Sequence, residues 1–218
     1  MLNVGNFSRL IIGEIFNYQK LIYLDADSIC NCDLYLKLKD FELEHDLYSL
    51  KANIDSKKRE NRIILKMKNI INTNQNWEKI ISKKIEGEDY VFMGAPFITN
   101  CRKWKNVLKT IVIIVQKHNQ IEGGVYKLFT MSLQNIIFYQ KTGDIKKILQ
   151  CLPDLGSKRK KWNPLQLNNS DIMDWSGTLK PWFTNGLYRN IWIKHDILNL
   201  REKNKEINSN KNTIEEFQ

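Results

Sequence analysis

The chain is expected to adopt an α/β fold, and three features of the sequence predict it. Apolar residues alternate along the chain between helical spacing and short strand-like runs. One such run, Lys20 to Leu24, leads straight into Asp25-Ala26-Asp27, and open α/β sheets bind ligands outside the carboxyl ends of their strands. Far downstream, Asp174-Trp175-Ser176-Gly177-Thr178-Leu179-Lys180-Pro181-Trp182 sets a glycine and a lysine in one short segment. Those residue types let a backbone approach a phosphate and neutralise it.

In chain order, Phe7 to Tyr18 carries Phe7, Leu10, Ile11, Ile15 and Phe16 at helical spacing, with Asn6 or Ser8 as the cap. Lys20 to Leu24 reads as a short buried strand, expected at the centre of its sheet, with Asp25 and Asp27 at its carboxyl end. Asp33 to Leu38 reads as a helical turn and Asp46 to Ala52 as a strand. Residues 55–89 are polar and rich in Asn and Lys. An amphipathic helix over Asn61 to Ile71 is expected there, within a flexible or variable insertion. Val91 to Asn100 returns to a strand pattern, interrupted at Gly94-Ala95-Pro96. Lys103 to His118 is an amphipathic helix, and Val125 to Phe138 contains another. Lys203 to Gln218 is polar and expected to be a disordered tail after one domain over 1–202.

A chain of 218 residues suits one domain with a sizeable core, and 42% hydrophobic and 11% aromatic residues argue for a folded globule. The longest apolar runs, such as Ile111 to Val115, fall short of a transmembrane segment. No signal-peptide pattern precedes Arg9. Four cysteines are too scattered for a disulfide framework. Cys30 and Cys32 lack a second pair at zinc spacing, and with Cys101 and Cys151 they read as core or surface thiols. His45, His118 and His195 fall in no motif and read as structural or surface residues. The net charge of +10 is spread over the chain. It matches no zinc finger, RNA-recognition signature or recognition helix, so no nucleic acid is expected as a partner.

Asp25 and Asp27 stand at i and i+2, which in an extended chain point to one side and can share a cation. Hard oxygen ligands suit Mg²⁺ or Mn²⁺, ions that commonly sit on phosphates. The alternative is two solvated carboxylates at a strand end. Gly177 and Lys180 have their own alternative, a turn glycine and a solvated lysine. Together the two segments suggest a metal-diphosphate site.

The same segments resemble glycosyltransferase family 8, whose members carry an L-D-x-D strand end and a late H-x-x-G-x-x-K-P-W segment. Phe7 to Glu14 is similar to the family's Y-x-R-L helix. Tyr90 to Trp104 is similar to its F-N-A-G-V-x-x-x-N-x-x-x-W block, and Leu133-Gln134-Asn135-Ile136 stands where many members have D-Q-D-x-L. Leu155-Gly156 and the basic stretch after it look most like the eukaryotic glycosyltransferase 8 domain-containing proteins. The likeness runs from about residue 7 to 196.

The resemblance implies a GT-A-like nucleotide-diphospho-sugar transferase fold, a mixed sheet flanked by helices. It also implies an amino-terminal section before the Arg9 helix, so that this chain lacks the first strands and exposes apolar edges. The implied activity is transfer of a hexosyl group from a UDP-sugar to a hydroxyl of a glycan or protein acceptor, with retention and with Mn²⁺ or Mg²⁺ as cofactor. Asp25, Asp27 and Asp174 would be the metal ligands, Asp174 standing where the family has histidine. Gly177, Lys180 and Arg9 would meet the donor, and Gln134 would be the residue near the anomeric carbon. Pro181 and Trp182 would fix the loop. Met93, in place of the Asn of F-N-A-G, and Leu133, in place of the first Asp of D-Q-D, depart from the pattern. They keep open an inactive relative with a partial diphosphate site; a basic module for acidic surfaces is a further alternative. An upstream anchor would imply the Golgi lumen, its absence the cytoplasm.

Overall fold

The structure is a computed structural model and describes residues 4–55, 62–158 and 161–196; the expected tail 203–218 lies outside the described residues. Its strands are β1 (Leu21–Tyr23), β2 (Ser28–Cys30), β3 (Leu47–Lys51), β4 (Asn53–Asp55), β5 (Arg62–Ile64), β6 (Phe92–Thr99), β7 (Thr142–Asp144), β8 (Cys151–Leu152) and β9 (Ile172–Asp174). They fall into two compact units. One unit takes Met1–Leu24 and Asp40–Ile148, the other Asp25–Lys39 and Leu149–Gln218. The physical basis of the division is that each unit closes a sheet and a core of its own.

The larger unit is built on a mixed sheet in the order β1-β6-β3-β7. β6 runs antiparallel to β1 and β3, and β7 runs parallel to β3. β6 takes an inner position because Ala95, Phe97, Ile98 and Thr99 are consecutively buried or nearly so, as a strand covered on both faces requires. β1, by contrast, lies at an edge among the described residues, and Leu21, Ile22 and Tyr23 are each only partly buried. The expectation of a central strand leading into the Asp25-Asp27 segment is therefore corrected.

Rings tie the sheet to its helices. Tyr23 stacks on Phe97 at 4.9 Å, Phe97 on Trp104 at 5.7 Å, and Trp104 meets Phe138 at 4.7 Å. The Trp104 indole N–H donates to Thr99 Oγ1 at 2.7 Å, which lets a polar ring edge be fully buried. The helix Val107–Gln120 buries Val107, Ile111 and Ile114, one face at the helical period. The helix Phe129–Ile137 is buried almost all round. Its Asn135 side chain accepts from Phe92 N at 2.7 Å and donates to Phe92 O at 2.8 Å, which continues the hydrogen bonding of β6.

Two local readings change. The amino-terminal helix is a 3-10 stretch, Val4–Ile11, with one α turn, Ile12–Ile15, so Ile15 and Phe16 end up exposed. Within 55–89 the expected helix over Asn61 to Ile71 is replaced by β5, paired with β4, and by the short helix Met67–Ile70. Leu65, Met67, Ile70, Ile71 and Trp77 are all buried in the core, so residues 65–77 are held by packing.

The smaller unit carries the sheet β2-β9-β8. β9 pairs antiparallel with β2, with Ser28 opposite Asp174, and parallel with β8. Its core is Ile29, Leu155, Leu167, Met173, Trp175 and Trp192. Trp192 meets Trp175 at 5.4 Å and Trp182 at 5.3 Å, both edge-on. The helical turn expected from Asp33 to Leu38 is the helix Leu34–Leu38, with Asp33 as its cap. No helix of the described residues is long and apolar enough to cross a membrane.

Candidate functional site

Asp25 to Ser28 form a turn, not the end of an extended strand: Ser28 N–H donates to Asp25 O at 3.0 Å. Alternation of side chains along a strand therefore does not position Asp25 and Asp27; the turn and the next strand do. Once β2 begins, Trp175 N–H donates to Asp27 O at 3.0 Å and extends the β2–β9 ladder by one rung. Asp27 thereby reaches the start of the loop that follows Asp174.

Asp174 is the last residue of β9 and is 3% exposed. Ser28 Oγ donates to its Oδ1 at 3.0 Å, and Ser176 N–H donates to its Oδ2 at 3.1 Å. The Ser176 hydroxyl donates to the same Oδ2. Burial pushes the Asp174 carboxyl up to about 6, and the negative charge of Asp27 pushes the same way, against the hydrogen bonds from Ser176 and Ser28. Lys180 bridges the other side. Its ammonium pairs with Asp27 Oδ2 and donates to Trp175 O at 2.7 Å.

The loop between them is shaped by close backbone approach. Gly177 has φ +113°, and a Cβ there would stand 2.6 Å from Gly156 O. Gly156 is equally restricted, with Trp175 O 2.7 Å from where its Cβ would be. Leu179 N–H donates to Gly156 O at 3.0 Å. Two glycines thus let the 174–180 segment lie flat against 155–157, a position closed to any larger residue.

Asp27, Asp174 and Lys180 are brought together, with Gly177 in the connecting loop and Asp25 at the head of the adjoining turn. The carboxylate oxygens fit a hard divalent cation by their chemistry, and a cation here would offset the burial, and the lesser repulsion from Asp27, that raise Asp174. Among the described residues, no three His, Cys, Asp or Glu side chains stand at metal-ligand spacing. Lys180, rather than a third acid, is the partner of Asp27.

Arg9 and Gln134 belong to the larger unit. Arg9 Nη1 donates to Gly94 O at 3.0 Å, and its guanidinium lies 5.2 Å from the centre of the Tyr23 ring. Gln134 is 1% exposed, and neither its Oε1 nor its Nε2 has a hydrogen-bond partner among the described residues. Leu133 beside it is wholly buried, and Met93 packs partly buried against the same core. Ser28 and Ser176, which hold Asp174, are not distinguished by the sequence; their one signal is a hydroxyl residue one position after Asp27 and two after Asp174.

The sequence profile of glycosyl transferase family 8 matches residues 1–186. The chain belongs to glycosyl transferase family 8. Solved structures share the fold of this family 8 member. The galactosyltransferase LgtC, crystallised with donor and acceptor sugar analogues, gives a TM-score of 0.55 at 16% identity, covering 93% of this chain and 68% of LgtC. The glycosyltransferase GlyE of Streptococcus pneumoniae gives 0.54 at 16% identity, covering 94% of this chain and 46% of GlyE. The bifunctional glycosyltransferase WbbM gives 0.54 at 14% identity, covering 86% and 34%. The family 8 chain thus spans about two thirds of LgtC and less than half of the other two. No curated protein matches its sequence. As a family 8 member it is a glycosyltransferase with an α/β fold of mixed sheets flanked by helices.

Proposed function

We propose that the chain transfers a hexosyl group from a UDP-sugar to a hydroxyl of a glycan or protein acceptor, with retention at the anomeric carbon and with Mn²⁺ or Mg²⁺. The observation that carries this reading is the meeting of Asp27, Lys180 and Asp174 on the β2–β9 ladder, across 153 residues of sequence. Acidic and basic groups there flank a glycine loop, the combination a metal diphosphate needs. The donor and acceptor analogues bound by LgtC support the same substrate classes.

Asp25, Asp27 and Asp174 would hold the cation, which when bound neutralises charge developing on the leaving diphosphate. Lys180 supplies a further positive charge, and the Gly177 N–H a backbone donor, to the same oxygens. Arg9 faces the donor sugar. Gln134, a neutral amide, orients the anomeric centre or stabilises its oxocarbenium character rather than attacking it. The acceptor hydroxyl then enters on the face the diphosphate leaves.

One observation favours a second reading, an inactive relative with a partial diphosphate site. Leu133 is wholly buried where the family carries an acid, so that position serves packing. Thermal melts distinguish the two. UDP with Mn²⁺ at a hundredfold excess over its dissociation constant should stabilise the protein by about 2.7 kcal/mol, and Asp27→Ala should abolish the effect. A shift with UDP but no sugar transfer from any UDP-sugar supports the inactive relative; no shift at all removes the donor site.

A further inference from the structure

The backbone of Lys180 is held in a tight loop. Leu187 N–H donates to Leu179 O at 3.3 Å, and Phe183 N–H donates to Lys180 O at 3.1 Å. A Cβ on Gly186 would stand 2.1 Å from that same Lys180 oxygen, so the loop after it is closed tightly on itself. From this fixed point the ammonium reaches Asp27 and the Trp175 carbonyl, with the lysine and aspartate side chains 24% and 17% exposed. The pair is thus largely sheltered from the water that weakens surface ion pairs.

Asp27 is also one of the carboxylates assigned above to the divalent cation. An ammonium and a divalent cation within a few ångströms of one oxygen repel each other, so they compete for it. We propose that Lys180 is the resident counter-ion of Asp27 and exchanges there with the divalent cation. Cation binding frees the lysine, by side-chain rotation from its fixed backbone, to meet the donor diphosphate. The inference rests on the donor-site reading and adds an order to it: cation first, diphosphate second. In cation-free protein Lys180 is committed to Asp27, and diphosphate affinity is reduced by the fraction so committed.

The test measures Mn²⁺ binding by calorimetry and by electron paramagnetic resonance, without UDP, on the full chain and three variants. Lys180→Met keeps length and removes charge; it should bind Mn²⁺ about tenfold tighter than wild type, the size of effect a neighbouring charge has on a carboxylate. In Mn²⁺-saturated protein the same variant should bind UDP more weakly. Lys180→Arg, which can grip Asp27 through two bonds, should bind Mn²⁺ no tighter than wild type. Asp27→Ala should lose Mn²⁺ binding. Equal or weaker Mn²⁺ affinity in Lys180→Met overturns the exchange; the donor site itself stands if Asp27→Ala still abolishes binding. No Mn²⁺ binding by wild type overturns both. If Lys180→Met does not fold, Lys180→Arg decides. Its firmer grip on Asp27 must enlarge the factor by which Mn²⁺ raises UDP affinity. An unchanged or smaller factor overturns the exchange.

Discussion

Ser28 and Asp174 are partners twice over: their Cα atoms face each other across the β2–β9 ladder, and Ser28 Oγ donates to Asp174 Oδ1 at 3.0 Å. The backbone register thus determines which hydroxyl reaches the buried acid. Ser28→Ala leaves that oxygen without its donor while the rest of the ladder stays intact. At pH 8 it should lower stability by about 1.5–3 kcal/mol in urea titrations, the scale of one hydrogen bond to a charged group. Ser28→Thr, which keeps the hydroxyl, should recover most of the loss.

Asp174 makes the stability of the metal-free protein depend on pH. Its carboxyl titrates at about 6 when folded and at 3.8 as a free group. The folded state therefore holds more protons between these values, and this residue's contribution falls as pH rises from about 4 to 6. Asp174→Asn removes the buried charge, and its amide can still donate to Ser28 Oγ while its oxygen accepts from Ser176 N–H. Above pH 7 the variant should be more stable than wild type by up to about 3 kcal/mol, with the gap closing near pH 4. Denaturant melts at a series of pH values check the sign. Mn²⁺ binding should weaken in the same variant.

Gln134 should also trade stability against function. A buried amide with no partner costs about 1–3 kcal/mol of desolvation. Gln134→Leu should leave the protein as stable as before or raise its stability by about 1 kcal/mol, read from the urea midpoint at unchanged slope. Sugar transfer from a UDP-sugar, measured by product formation, should fall in the same variant.

Gly177→Ala meets two obstacles, a left-handed φ of +113° and a backbone oxygen 2.6 Å from the new carbon. The strain should be about 1–3 kcal/mol. Because the loop is displaced, the UDP-dependent melting shift should be lost, while Mn²⁺ affinity should change less than in Asp27→Ala.

Where the sequence carried its own local instruction, it was readable. Asp33 to Leu38 reads as a helical turn, and the helix Leu34–Leu38 stands there. Asp46 to Ala52 and Val91 to Asn100 read as strands, and they hold the strands Leu47–Lys51 and Phe92–Thr99, the second running on through Gly94-Ala95-Pro96. The helical period over Val107–Gln120 shows in Val107, Ile111 and Ile114. Both candidate site segments stood out too, since acids next to an apolar run and a glycine-lysine loop are short-range patterns. Their family likeness was legible for the same reason.

Tertiary structure decided the rest. That Asp25 and Asp27 lie in a turn rather than along a strand depends on the Ser28 to Asp25 hydrogen bond and on β2 pairing with β9, whose partners are 146 residues apart. That β1 is an edge strand depends on what pairs with β6, not on Leu21-Ile22-Tyr23. The burial of Asp174 and the capture of Asp27 by Lys180 come from groups distant in sequence, and the proton affinity of Asp174 follows from that burial more than from its neighbour Ser176. Local sequence sets backbone preference over a few residues, whereas a carboxylate's protonation and partner are set by every charge, donor and apolar wall that folding brings within a few ångströms of it.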